Sequence, residues 1–92
     1  MISTTMQLSI KKSFQKMYNK LPTRDQKRVD EALHTFFADP FDPCLRNHTV
    51  GHAYSFCRSI DVGFDLRIIF QQNSNYQEVI LLKVGSHSEL YG

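Results

Sequence analysis

A chain of 92 residues with 41% apolar, 22% charged and 12% aromatic side chains is long enough for one hydrophobic core and too short for two, so a single domain spanning residues 1–92 is expected. Eleven Lys and Arg against nine Asp and Glu leave a net charge of +2, too mild for nucleic-acid binding through a broad field, while the apolar content excludes disorder. No stretch approaches the ~18 apolar residues of a membrane span, MISTTMQLSIKK lacks the basic-then-apolar order of a secretory signal, and Cys44 and Cys57 lack Cys-x-x-Cys spacing. A cytoplasmic protein with reduced thiols and no membrane partner is expected.

Met6, Leu8 and Ile10 alternate with Gln7 and Ser9, the pattern of a short half-buried strand. Ser13 offers a cap for a helix that carries Phe14, Met17, Tyr18 and Leu21 in one apolar stripe and stops at Pro22. Thr23 and Gln26 have capping-box spacing, opening a second helix on which Val29, Ala32, Leu33, Phe36 and Phe37 form a stripe until Asp39-Pro40. The short link between the helices predicts an antiparallel hairpin, with Lys16, Lys20, Arg24, Lys27 and Arg28 on a solvated outer face.

After Phe41-Asp42-Pro43 the period changes to two. Tyr54, Phe56, Arg58, Ile60 and Val62 fall on one side of a strand that Gly63 breaks, and Leu66, Ile68 and Phe70 mark a second. Gln71 to Asn75 supply a polar turn before Val79-Ile80-Leu81-Leu82, and residues 46–50 add a short edge strand. Strands joined this closely pair antiparallel. The expected fold is α+β, in the order β-α-α-β-β-β with a further edge strand, a helical hairpin covering one face of a twisted sheet.

Charge is uneven: residues 1–46 carry eight Lys and Arg against five Asp and Glu, residues 47–92 three against four. An anion site must therefore be built from a few placed cations. His87 follows a buried strand within Gly85-Ser86-His87-Ser88-Glu89-Leu90-Tyr91, where Gly85 allows a turn and His87 and Tyr91 emerge at the sheet rim. Asp61 and Asp65 flank a turn and are read as facing one cleft, with Arg58 and Arg67 on the same two strands. Carboxylates beside arginines suit structural ion pairs and phosphodiester chemistry alike. Cys44, His48, His52 and Cys57 have the residue types of a zinc site, but not the paired-knuckle spacing, and no metal is expected.

Taken together, the chain resembles the RelE superfamily of bacterial toxin–antitoxin ribonucleases, closest to its YafQ-like branch. The resemblance rests on Ser13-Phe14, Lys20-Leu21-Pro22, the run from Asp39 to His48, Asp65-Leu66-Arg67-Ile68-Ile69-Phe70, and the segment from Gly85 to Tyr91. It implies a RelE-like fold and a ribosome-dependent endoribonuclease that enters the 70S A site and cleaves mRNA by 2′-OH attack without a cofactor. It also implies a cognate antitoxin as partner, operator DNA being met only through that antitoxin. His48, Asp65 and His87 match catalytic positions of that branch, and Tyr91 its C-terminal aromatic. Asp61 stands where the branch has a second strand histidine and is kept as a fourth candidate. Arg46, Arg58 and Arg67 are the expected RNA-binding cations, with Tyr91 stacking on a base. The alternative is a noncatalytic relative, either a gyrase poison of the ParE type or a degenerate toxin that binds antitoxin alone.

Overall fold

The computed structural model describes residues 6–51 and 54–91. Its elements run β1 (Gln7–Ile10), α1 (Lys12–Lys20), α2 (Thr23–Ala38), β2 (His48–Thr49), β3 (Arg58–Val62), β4 (Leu66–Asn73), β5 (Glu78–Ser86) and α3 (His87–Tyr91), with a 3-10 turn at Pro43–Leu45. The five strands form one sheet in the order β1-β5-β4-β3-β2. This is the expected α+β architecture with the edge strand present. Neighbours from β2 to β5 are antiparallel, whereas β1 lies parallel to β5. The helices and strands that separate β1 from β5 in the chain leave its direction free, unlike the short turns between β3, β4 and β5.

The helices α1 and α2 cover one face. Phe14 of α1 and Val29 and Phe36 of α2 are buried with Ile60, Val62, Leu66, Ile68, Phe70, Val79, Leu81 and Val84 of the sheet. Phe36 sits at the centre, edge-on to Phe70 at 5.0 Å and to Tyr76 at 6.0 Å. Truncating so enclosed a ring costs about 3–5 kcal/mol. The expected stripes hold, except that Phe37 is exposed at the rim. Met6, just before β1, packs on the core while Leu8 and Ile10 in the strand stay exposed, because an edge strand is covered incompletely.

Three local expectations change. α1 begins at Lys12 without a side-chain cap, and the Ser13 hydroxyl instead donates to the Leu82 carbonyl. Between β4 and β5 the register passes from Ile69 opposite Lys83 to Phe70 opposite Leu81, so Leu82 is the extra residue of a bulge whose carbonyl is left for Ser13. Pro22 rather than Thr23 caps α2, and the Gln26 side chain reaches back to the Tyr18 carbonyl at 2.9 Å, tying α2 to the end of α1. The Tyr18 hydroxyl donates to Asp30 at 2.7 Å and adds a second tie. Finally, β3 starts at Arg58; Phe56 lies before it in a turn, almost fully exposed with φ of 65°.

Asp39 and Asp42 shape the link from α2 to β2. Asp39 accepts from the Phe41 N–H and Asp42 from the Cys44 N–H, each at 3.0 Å. The chain then reaches β2 through Arg46, in the left-handed region with φ of 50°. No helix among the described residues is long and apolar enough to cross a membrane.

Candidate functional site

Alternation along the strands decides which side chains escape the helices. In β3 and β4, Ile60, Val62, Leu66, Ile68 and Phe70 face the helical core, leaving Ser59, Asp61, Arg67 and Ile69 on the opposite face. Directly paired residues share a face, so His48, which opposes Ser59, joins this set. Arg67 lies between Asp61 and Gly85 in the register. The second face thus receives Asp61, Arg67 and His48 of the candidate residues.

Asp61 is the best buried of them, 7% exposed. Its Oδ1 lies 3.1 Å from Arg67 Nε and its Oδ2 3.5 Å from Arg46 Nε. The Oδ1 contact is an ion pair without the alignment of a hydrogen bond, and among the described residues neither Oδ1 nor the buried Ser59 hydroxyl has a hydrogen-bond partner. A buried carboxylate is costly unless cations compensate it, and here two do, leaving the trio one positive charge in excess. Arg46 is 78% exposed, so its guanidinium stays available to an anion.

His48 is exposed, and its Nδ1 lies 2.5 Å from the Arg46 carbonyl. A carbonyl only accepts, so Nδ1 carries the proton and a neutral ring presents Nε2 as a proton acceptor. His87 opens α3. Ser86 and Glu89 form a capping box around it: Glu89 Oε1 accepts from the Ser86 N–H at 2.7 Å, and Ser86 Oγ accepts from the Glu89 N–H at 3.2 Å. The His87 ring packs on Tyr91 with centroids 4.7 Å apart. Burial pushes the Tyr91 phenol above its usual range, as does nearby Tyr54, against the pull of Arg67.

Gly85 is not a turn. It continues β5, and a Cβ there would lie 3.0 Å from Glu89 Oε1 and 3.2 Å from Met17 Cε. Its bare backbone lets α3 close down on the strand, with Leu90 buried in a cluster with Ile69 and Cys57.

Two expected members stand elsewhere. Asp65 does not share a cleft with Asp61: it turns toward α2, where Arg28 grips it through Nη1 at 3.2 Å and Nη2 at 2.5 Å. The same guanidinium donates to Asp25 at 3.1 Å and to the Val62 carbonyl at 3.2 Å. Hydrogen bonding from Arg28 holds the Asp65 carboxyl below its usual range, which makes it a poorer base. Arg28 is thus half-buried in a clamp rather than on a solvated helix face. Gly63, with φ of 65°, makes room for it, since a Cβ would run into Arg28 Nη2. Arg58 lies on the helical side of the sheet, opposite Thr49 and Phe70, with Nε 2.7 Å from Asn47 Oδ1 and the guanidinium over Phe41. It and Arg67 face opposite ways because they are an odd number of residues apart along the hairpin register.

Sequence reasoning missed a groove of about 810 Å³ whose lining includes Lys11, Lys12, Tyr54, Gln71, Leu82 and Lys83. Lys83 Nζ stands 5.8 Å over the Tyr54 ring, and Tyr54 meets Tyr91 edge-on at 5.4 Å. The groove is basic and has an aromatic ring in its wall, a combination suited to a nucleic-acid strand, and the contacts of Tyr54 with Tyr91 and of Tyr91 with His87 link that wall to α3. Its lysines come from segments some seventy residues apart and had no local signal. The capping box that fixes α3 did, in Ser86-x-x-Glu89. As to metal, His52 lies outside the described residues, and among the described residues no three His, Cys, Asp or Glu side chains gather as ligands. Cys44 is exposed and Cys57 buried.

No family model and no curated protein matches the chain. Solved structures do. YafQ from E. coli strain BL21(DE3) superposes with a TM-score of 0.79 at 15% identity, over 92% of this chain and 97% of that one. The conserved hypothetical protein HP0894 from Helicobacter pylori is similar at 28% identity and a TM-score of 0.72, over 94% and 99% of the two chains. The toxin–antitoxin complex RelBE2 from Mycobacterium tuberculosis gives 0.72 at 15% identity, over 90% and 99%. With TM-scores of 0.72 to 0.79 and nearly complete mutual coverage, the chain shares the fold of YafQ and of RelBE2.

Proposed function

We propose that this chain is the toxin of a toxin–antitoxin pair and acts as a ribosome-dependent endoribonuclease. The observation that carries the reading is the placement of His87 on a capped, packed helix that follows Gly85, the register partner of Arg67 in the Asp61–Arg67–Arg46 cluster, and that Tyr91 links to Tyr54 in the wall of the lysine groove. YafQ is found in complex with DinJ in a solved neighbour, which supports an antitoxin partner here. Operator DNA is met through that antitoxin, and the message within the A site of the ribosome.

RNA brings its own nucleophile, so the reaction needs proton transfer and charge stabilisation more than an added cofactor. His48 Nε2 takes the proton of the 2′-OH; the 2′-oxygen attacks the adjacent phosphorus, and the P–O5′ bond breaks to leave a 2′,3′-cyclic phosphate. His87, as general acid, gives a proton to the departing 5′-oxygen. Across the register His48 faces Ser59, Ile69 and Lys83 in turn, and His87 follows Lys83 by four residues, so the two imidazoles lie on either side of the Asp61–Arg67–Gly85 line, separated along the strands as well as across them. Arg67, oriented by buried Asp61, and exposed Arg46 stabilise the phosphorane charge, and Tyr91 stacks on a base. Lys11, Lys12 and Lys83 hold the strand through its phosphates. In this scheme Asp61 positions Arg67, while Asp65 and Arg58 serve the fold.

The test is induced expression with and without the neighbouring reading frame, followed by primer extension on a translated message. New 5′ ends within codons, absent in His87→Ala and suppressed by the partner, are expected. Growth arrest with no new RNA ends overturns the nuclease and favours a noncatalytic toxin.

A further inference from the structure

α3 has five residues, far below the length at which a helix persists by itself, so its position depends on tertiary anchors. The capping box holds its first turn and buried Leu90 holds its inner side. Its last carbonyls have no partner within the helix. The Tyr54 hydroxyl supplies one, donating to the Leu90 carbonyl at 2.6 Å from a loop 36 residues earlier. The Tyr54 ring then meets Tyr91 edge-on, and Tyr91 in turn packs on His87.

We propose that Tyr54 is a positioning residue for His87, acting through the Leu90 carbonyl and the Tyr91 ring to hold the imidazole where it meets the leaving oxygen; this rests on the reading of His87 as general acid. Two independent contacts carry it, one polar and one aromatic, and both end on the helix that bears His87. Tyr54 also lines the lysine groove beneath Lys83, so the wall that holds the strand and the support of the proton donor are one side chain. Sub-ångström placement of an acid matters: a displacement of about 1 Å can cost ~10²-fold in rate.

The full chain carrying Tyr54→Phe, which keeps the ring and removes the hydrogen bond, and Tyr54→Ala, which removes both, separates the two contacts. Histidine-labelled protein reports the His87 ring signals by NMR, assigned with His87→Ala, amide exchange reports residues 87–91, and single-turnover cleavage on message-programmed ribosomes reports the rate. Tyr54→Phe is expected to speed exchange at the end of α3, shift the His87 signals and slow cleavage about tenfold with the half-saturating message concentration unchanged; Tyr54→Ala is expected to slow it ~10²-fold. Wild-type His87 signals and exchange in both variants would overturn the proposal. So would a change confined to half-saturation, which marks a strand contact instead. Should the wild-type chain cut no message, the NMR arm decides alone: shifted His87 signals uphold the support from Tyr54 while the nuclease reading falls. Tyr54→Phe keeps the test open if Tyr54→Ala fails to fold.

Discussion

Asp61 and Asp65 stand four residues apart, and each is gripped by arginine, yet the two clusters do different work. At Asp65 the carboxylate is half exposed and Arg28 reaches it from α2, bridging Asp25 and the Val62 carbonyl on the way. At Asp61 the carboxylate is the buried partner and the arginines extend outward from it, on the face away from the helices. The first arrangement spends its cation on closing a hairpin against a helix. The second holds cations where an anion can still reach them. Burial of the carboxylate, rather than the residue types, separates a structural clamp from a candidate binding group.

The largest contrast should appear in activity. His87→Ala, on the Asp61 side, should lower message cleavage by ~10²- to 10⁴-fold with no change in the thermal midpoint, whereas Arg28→Ala should leave the cleavage rate of the folded protein near wild type. Equal losses in single-turnover assays would erase the distinction. Next, Asp61→Ala should destabilise the fold by about 2 kcal/mol in urea titration. That lies below the value for a fully buried pair because Arg67 and Arg46 retain access to water. Arg28→Ala should cost about 1 kcal/mol, since the Val62 carbonyl and two partly exposed carboxylates can turn to solvent.

The smallest effect is a pH dependence. Arg28 depresses the Asp65 pKa in the folded state, so the stability this contact adds is complete above the unfolded value near 3.9 and is lost as pH falls through the folded one. Asp65→Asn should therefore flatten part of the stability loss below about pH 4, and solvent screening of this half-exposed group keeps the increment under about 1 kcal/mol. Unfolding curves from pH 5 to pH 2 that remain parallel for wild type and Asp65→Asn would remove the clamp from the account.

Much of the fold was legible because local patterns carried it. The stripes of α1 and α2 and the alternation of β4 named their core faces directly, and the resemblance drawn from the motifs agrees with the neighbours found by superposition. The failures share a cause. Local spacing offers Ser13 and Gln26 as caps for nearby backbone, but each finds a carbonyl in another element, because the β5 bulge and the end of α1 leave acceptors open. Arg58 and Arg67 share a hairpin but not a parity, and Asp65 and Asp61 are close in sequence but do not share a partner.

By itself, the sequence determined the types and order of the elements from β1 to β5, since periodicity and prolines are local properties, while α3 was not among the elements it predicted. Only the tertiary structure decided which side chains meet. Strand parity sent Arg58 and Arg67 to opposite faces, Arg28 arrived from α2 to take Asp65, and Lys11, Tyr54 and Lys83 were brought to one groove by pairings between segments distant in the chain. Contacts across such separations depend on how the faces bury against each other, and no short window of residues carries that information.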